Sequence, residues 1–526
     1  MLSDMAREYR QKRQSFETGA VVLIFSTIIV KAIGVFFKIP ISNFLGDEGY
    51  GCFASAYDLF TPFYAMAMSG LPVSMARLIA AYNALGRCGD IKQISKLSHR
   101  LFMGIGTVGF LIFTALVPWL SYLTDASGNT RYGLFAIAPS IFLFCLMSYY
   151  RGMYEGFSNM TPTAVSDLIE ALGKLILGYG FARIAFKITH DIILSAAAAL
   201  FGITVGVAFA TLYIAIKYRV DGVNKRIDES SANSRHTDAK TVLKELVSVA
   251  LPVTASAVAV SVFASFIDVL TVKSCLSNAG INDATLLYGL RSKAFTLYNL
   301  VPSITTVIGI SAVPALSAAK VAGDKELLKN KTQLLLKITA VTAIPIGIGM
   351  SVFSKPIMKL LYSSHASGEI GAEMLSVYGF AAVFAGMSVV VIHALQALGM
   401  QKTVLISLIG GILLKLIINI ILISNANIGI LGAAYGTLIA YMVLFAVSLV
   451  LLIKASCIFN VLKIFVKPII ASLGCAAVCL LAHEVTSKAI TLFVILAAAA
   501  VYFILIFALK TFSRGELESF FGREKA

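Results

Sequence analysis

Charge is scarce in this chain of 526 residues: Asp, Glu, Lys and Arg together make up 13%, against about 25% in an ordinary soluble domain. Apolar residues make up 58%. A water-soluble fold of this length cannot hide that much apolar surface. A soluble enzyme, a disordered chain and a secreted disulfide scaffold are excluded. The seven cysteines are scattered, and none forms a CxxC pair. Cys475 and Cys479 share a face one helical turn apart, but inside an apolar run they read as small packing residues. Neither zinc nor a disulfide framework is indicated. There is no ATP-binding P-loop and no basic, aromatic-interleaved domain outside the apolar segments, so a nucleic-acid partner is not expected. The 43 Lys+Arg against 27 Asp+Glu, a net +16, instead mark cytoplasmic loops held at an anionic inner leaflet.

What is present is a series of apolar runs. Arg7, Arg10, Lys12 and Arg13 precede the first, which is too long for a signal-peptide core and lacks a small-residue cleavage site; it reads as an uncleaved span. Counting runs of about 20 apolar residues yields fourteen spans, near 18–41, 51–81, 98–122, 132–152, 162–184, 191–216, 244–275, 285–318, 332–353, 373–397, 403–424, 428–453, 464–483 and 487–510. The expected class is an all-α polytopic membrane protein. With the N-terminus inside, the inner loops and both termini hold about 25 Lys+Arg against roughly 4 outside, as the positive-inside rule requires. Both termini are therefore expected on the cytoplasmic side of the membrane.

The polar segment from Lys217 to Leu243 divides the first twelve spans into six and six. The two halves echo each other. Gly156-Phe-Ser-Asn-Met160 leads to Lys174, and Ala397-Leu-Gly-Met-Gln401 leads to Lys415 at the same separation. Glu155 then matches Gln396, and Ser166 matches Ser407. Tyr50-Gly51 and Tyr288-Gly289 each precede a long helix with a proline, Pro72 or Pro314, running into Gly89-Asp90 or Gly323-Asp324. The expected organisation is an N-lobe over 1–217, a cytoplasmic linker over 218–243, a C-lobe over 244–453, and two further helices with a tail over 454–526. Repeated lobes are the common build of secondary transporters, with substrate held between them.

Ionisable groups inside spans are costly and tend to face an interior cavity. Lys31 and Lys38 lie two turns apart on one face of the first span, with Gly34 between them. Lys38 can also snorkel to the outer headgroups, whereas mid-span Lys31 reads as a cavity residue. Arg291 and Lys293 open the eighth span, as cavity cations or as an interfacial anchor, and Arg77 stands near the inner end of the second. These five are the candidate substrate-binding cations. Asp58, Glu170, Lys174, Asp268, Lys415 and Asn419 are candidates for ion coupling or for polar cavity contacts. Glu170 and Lys174, spaced i, i+4, are expected to pair, and Lys415 and Asn419 share one helix face. No catalytic or metal-ligating set is expected, and no cofactor. A net-cationic lining suits a phosphate or diphosphate head group and suits a cationic drug poorly. A membrane glycosyltransferase would need a catalytic carboxylate in a sizeable outer loop. The one close acidic pair in an early outer loop, Asp47 and Glu48, sits in a short turn.

Several stretches resemble bacterial MurJ/SpoVB-type lipid-linked oligosaccharide flippases of the multidrug/oligosaccharidyl-lipid/polysaccharide exporter superfamily. They are Gly46-Asp-Glu-Gly-Tyr-Gly51, Ser69-Gly-Leu-Pro72 into Ala81-Tyr-Asn-Ala-Leu-Gly86, and Arg151-Gly-Met-Tyr-Glu-Gly156 through Asn159-Met-Thr-Pro162 to Glu170. In the second half they are Leu395-Gln-Ala-Leu-Gly399, Gly411 with Lys415 and Asn419, and Ile428-Gly-Ile-Leu-Gly-Ala-Ala434. The resemblance implies two six-helix lobes around a cationic cavity, with the last two helices forming a groove for a polyprenyl tail. It also implies export of lipid II by alternating access. Lys31 and Lys38 match the family's basic pair in the first helix, and Arg291 its eighth-helix arginine. Lysines stand where arginines are usual, and the region around Tyr64 lacks the family's second-helix arginine. The expected partners are a lipid-linked oligosaccharide and membrane lipids, with cell-wall synthesis proteins as further candidates. Exporters of teichoic, capsular or other repeat-unit lipids, and multidrug antiporters, are the competing readings.

Overall fold

The computed structural model describes residues 16–124, 128–223, 238–281, 283–456, 461–482 and 487–511. The basic N-terminal stretch, much of the 218–243 linker and most of the C-terminal tail lie outside the described residues. Within them, helix is the only regular structure. Twelve segments are long and apolar enough to cross a membrane. The first, Phe25–Ala84, runs for 60 residues and holds the first two expected spans. The expected fifth span is missing from the twelve because Asp167, Glu170, Lys174, Arg183 and Lys187 leave no stretch of it poor enough in charge, and a π-helical turn, Lys174–Gly178, also falls within it. Restoring both accounts for all fourteen expected crossings. In hydrocarbon every backbone N–H and C=O must be satisfied within the segment, so helix is the form these runs take.

The chain divides into two compact units, Met1–Lys273 and Ser274–Ala526. The first unit opens with α1 (Phe16–Met68), which bends at Gly46. That residue has φ 68° and ψ −169°, a conformation available to glycine alone at low cost. There follow α2 (Gly70–Ala84), α3 (Cys88–Thr124), α4 (Thr130–Ile137), α5 (Pro139–Gly156), α6 (Thr161–Gly173), the π turn, α7 (Tyr179–Thr189) and α8 (Ile192–Val220). Asp191 caps α8 by accepting from the Ile193 and Leu194 amides at 2.7 and 3.3 Å, satisfying two donors that the helix start leaves open. Helix α5 packs on α2, α3 and α8, and α6 on α1 and α8. The seventh span begins as α9 (Ala239–Ser261), continues through a second π turn at Val262–Phe266 and ends as α10 (Ile267–Asn278). Helix α9 packs against α1 and α2 of the first unit.

The second unit comprises α11 (Ala284–Tyr298), α12 (Leu300–Val321), α13 (Lys325–Val352), α14 (Ser354–Leu361), α15 (His365–Gly368), α16 (Ile370–Ala397), α17 (Gln401–Ile423), α18 (Leu431–Ser456), α19 (Val461–Leu481) and α20 (Lys488–Ala508). Helix α16 is its centre, packed by α11, α12, α13 and α18. The last two helices pair with each other, and α19 lies on α13. Phe353, Ala471, Cys475, Cys479, Val494 and Tyr502 form a core there, and the Tyr502 hydroxyl donates to the Val341 carbonyl at 2.7 Å. Cys475 and Cys479 are packing residues of that core.

Two helices that the sequence pairs across the halves end alike. After α5 the amides of Ser158 and Asn159 bond back to the carbonyls of Glu155 and Tyr154. After α16 the amides of Gly399 and Met400 bond back to Gln396 and Leu395. Ser158 and Gly399 both take positive φ, 60° and 75°. These are the same helix-ending turn at matching positions of the two halves.

A membrane-embedded network of cations, carboxylates and aromatic rings

The half of α1 that follows Gly46 carries Tyr50, Phe53, Tyr57, Phe60 and Tyr64 at alternating three- and four-residue spacings, which line up on one helix face. Successive ring centroids are 5.8, 6.2, 6.4 and 6.3 Å apart. Phe144 of α5 closes on Tyr64 at 4.8 Å, edge to face. Two cations rest on this aromatic ladder. The Nζ of Lys38 lies 5.6 Å from the Tyr57 ring, and that of Lys174 lies 5.9 Å from Tyr64 and 6.0 Å from Phe144. Ring faces attract cations most strongly where water is excluded.

Lys174 is tied to a buried ion network. Its Nζ is 2.5 Å from Glu170 Oε1. Arg151, in α5, donates from Nε to the Ser166 hydroxyl at 3.0 Å, pairs through Nη1 with Asp167 at 2.7 Å, and reaches Glu170 Oε2 through Nη2 at 3.5 Å. Arg151 is 4% exposed and Glu170 5%. A buried ion costs several kcal/mol in lost hydration, so each charge here depends on its partner. Glu170 is shared between two cations, one on each oxygen. Lys31, one span away on α1, is exposed and lies within electrostatic reach of the Lys174 ammonium.

The back of this segment is held by glycine. A Cβ on Gly173 would come within 2.6 Å of Gly206 Cα, so only glycine lets α6 and α8 approach this closely. Lys174 is the first residue of the π turn that follows. Such turns recur at functional positions, because they break the regular ladder and re-aim a side chain.

In the second unit, Arg291 and Lys293 are 0% and 1% exposed. The Arg291 guanidinium stands 4.0 Å over the Phe295 ring and 5.4 Å from Tyr288, and its Nε donates to the Tyr378 hydroxyl at 3.2 Å. Lys293 donates to the Ser367 hydroxyl at 3.2 Å and lies 5.4 Å from the Tyr362 ring. Lys415 and Asn419 are fully buried on α17, with Asn419 against Gly436 of α18. Asp268, fully buried, is the second residue after the second π turn. Asp58 is half-buried on α1, and Arg77 is exposed on α2. Among the described residues no cluster of three or more His, Cys, Asp or Glu is placed to hold a metal.

One expectation needs correction. The fourth span was expected to end at 152, just past Arg151, but α5 runs on to Gly156 and buries the arginine. The signal was present: Ser166, Asp167 and Glu170 share one face of α6, and two acids on an apolar helix require a cation. The aromatic ladder is likewise legible as a spacing.

The family model described as "Polysaccharide biosynthesis protein" matches residues 17–320. The chain belongs to the polysaccharide biosynthesis protein family. A second model, MatE, matches residues 291–421. Lipid II flippase MurJ of Bacillus subtilis (strain 168) is 24% identical over 434 residues, covering 80% of this chain and 79% of that protein. Stage V sporulation protein B of the same organism is 24% identical over 524 residues, covering 96% and 97%. Among solved structures, Lipid II flippase MurJ in an inward closed conformation superposes with a TM-score of 0.65 at 18% identity, over 93% of this chain and 99% of that one. An inward-facing multidrug resistance MATE family transporter of the MOP superfamily also gives 0.65, at 15% identity, over 83% and 98%. The fold of this member of the polysaccharide biosynthesis protein family is thus the all-helical one these transporters share. With twelve helices among the described residues long and apolar enough to cross a membrane, the chain is a multi-pass membrane protein of that family.

Proposed function

We propose that this transporter moves a polyprenyl-diphosphate-linked cell-wall precursor, peptidoglycan lipid II foremost, from the inner to the outer leaflet by alternating access. The observation that carries this reading is Lys31: a mid-span lysine that is exposed and lies within electrostatic reach of a second ammonium, that of Lys174. A cation kept at this depth without a paired carboxylate among the described residues calls for an anionic ligand. Lys31, Lys38 and Arg291 are the groups assigned to the diphosphate, while the tail stays in lipid. With both termini cytoplasmic, an inside-negative potential favours outward movement of a negative head group by about 2.3 kcal/mol per charge per 100 mV. The likeness to Lipid II flippase MurJ and to a sporulation protein supports the reading.

A second reading, export of another lipid-linked repeat unit such as a teichoic acid, capsule or exopolysaccharide precursor, is favoured by the family's description. One experiment separates the two. Expressed in a flippase-depleted strain, the chain restores growth and outer-leaflet access of lipid II, and Lys31→Ala with Arg291→Ala abolishes the rescue. Unchanged lipid II access with a different lipid-linked glycan stranded inside selects the second reading. Normal growth of the double variant removes both cations from the mechanism.

A further inference from the structure

Beside one cation with no counter-charge among the described residues, the first unit holds another whose counter-charge is shared. Among the described residues Lys31 makes no hydrogen bond or ion pair, and its electrostatic neighbour is the Lys174 ammonium. Helix α1 packs on α6 and on the π turn that Lys174 opens, and two like charges within electrostatic reach of each other raise the energy of the empty site and lower that of a site holding a multivalent anion. Lys174 is meanwhile occupied by Glu170 at 2.5 Å. That carboxylate also faces Arg151 at 3.5 Å, and Arg151 is held in place by Asp167 at 2.7 Å and by Ser166 at 3.0 Å. If Lys174 turns away, Glu170 therefore keeps a cation, and the step that makes most buried pairs hard to break, orphaning a charge, does not occur. The four-carbon lysine stem allows the swing. Lys174 begins the π turn, and the helix behind it is fixed through Gly173 against Gly206, so the side chain can move while its backbone stays.

We propose that Lys31 and Lys174 together form a two-ammonium seat for a diphosphate, and that Glu170 is the displaceable counter-ion holding Lys174 while the seat is empty. This rests on the reading that the cargo carries a diphosphate, and it adds the residues that take and release it. Arg151 and Asp167 are positioning residues: they hold Glu170 when Lys174 leaves.

The test is equilibrium binding to the full chain in uncharged phosphatidylcholine nanodiscs, with inorganic pyrophosphate and farnesyl diphosphate as probes. Glu170→Gln removes the competitor and tightens both probes by about 3-fold or more, while Lys174→Met weakens both by roughly 10-fold. The double variant binds as weakly as Lys174→Met, because Glu170 competes only through that lysine. The predicted effect of Glu170→Gln is a gain, which misfolding cannot imitate. Either order of the two probes supports the seat: a preference for farnesyl diphosphate names the lipid-linked anion, and indifference names the free one. If the native chain binds the probes and neither Glu170→Gln nor Lys174→Met changes the affinity, the handover is overturned while the flippase reading stands. If the native chain binds neither probe, both fall.

Discussion

Arg151 Nη1 lies 2.7 Å from Asp167 Oδ1 and joins two helices of the first unit through a buried guanidinium and a partly buried carboxylate. Removing the guanidinium leaves Asp167 and Glu170 to share Lys174 alone. Arg151→Met should therefore destabilise the protein by about 3 kcal/mol or more, read as a lowered melting temperature in detergent. Arg151→Met with Asp167→Asn and Glu170→Gln should recover much of the loss, since no carboxylate is then stranded.

Ser158 is a non-glycine residue at φ 60°, where the matching turn of the second half has Gly399 at φ 75°. Ser158→Gly should raise stability by up to about 1 kcal/mol, and Gly399→Ser should lower it by a similar amount. Melting curves of the two variants, measured side by side, should move in opposite directions.

Gly173 and Gly206 meet backbone to backbone, whereas a Cβ on Gly34 would touch nothing within 4 Å. Gly206→Leu should force α6 from α8, lower the melting temperature and displace Lys174. Gly34→Ala should leave melting unchanged.

The crossings could be read from the sequence because hydrocarbon imposes length and apolarity on each run, and the fourteen expected spans correspond to helices, with edges shifted by a few residues. The Glu170–Lys174 pair was equally legible from its spacing. Arg151 was not, since a cation near a span end looks the same whether it faces water or a buried acid on another helix. The π turn at Lys174 was hidden too: nothing in Lys174-Leu-Ile-Leu-Gly178 departs from an ordinary helix, and the close approach of Gly173 to Gly206 depends on which helices pack together. The environment of Arg291 was the least accessible, because Tyr378 lies far along the chain. Its aromatic collar and the exposure of Lys31 are both products of tertiary packing.

Arg291 stacks on Phe295 at 4.0 Å and donates to Tyr378 at 3.2 Å. Tyr378→Phe removes the acceptor and should cost about 1 kcal/mol. Arg291→Lys keeps the charge but loses the planar stacking, and should cost about as much again. Both are read as melting shifts in detergent.

The central claim is that cations inside the membrane serve a negatively charged head group. The direct measurement is movement of a fluorescent polyprenyl diphosphate in proteoliposomes of the full chain under an imposed potential. Predicted is outward movement accelerated by an inside-negative potential, slowed by the opposite sign, and lost in Lys31→Ala. Movement indifferent to the sign of the potential and undiminished in Lys31→Ala would contradict the account.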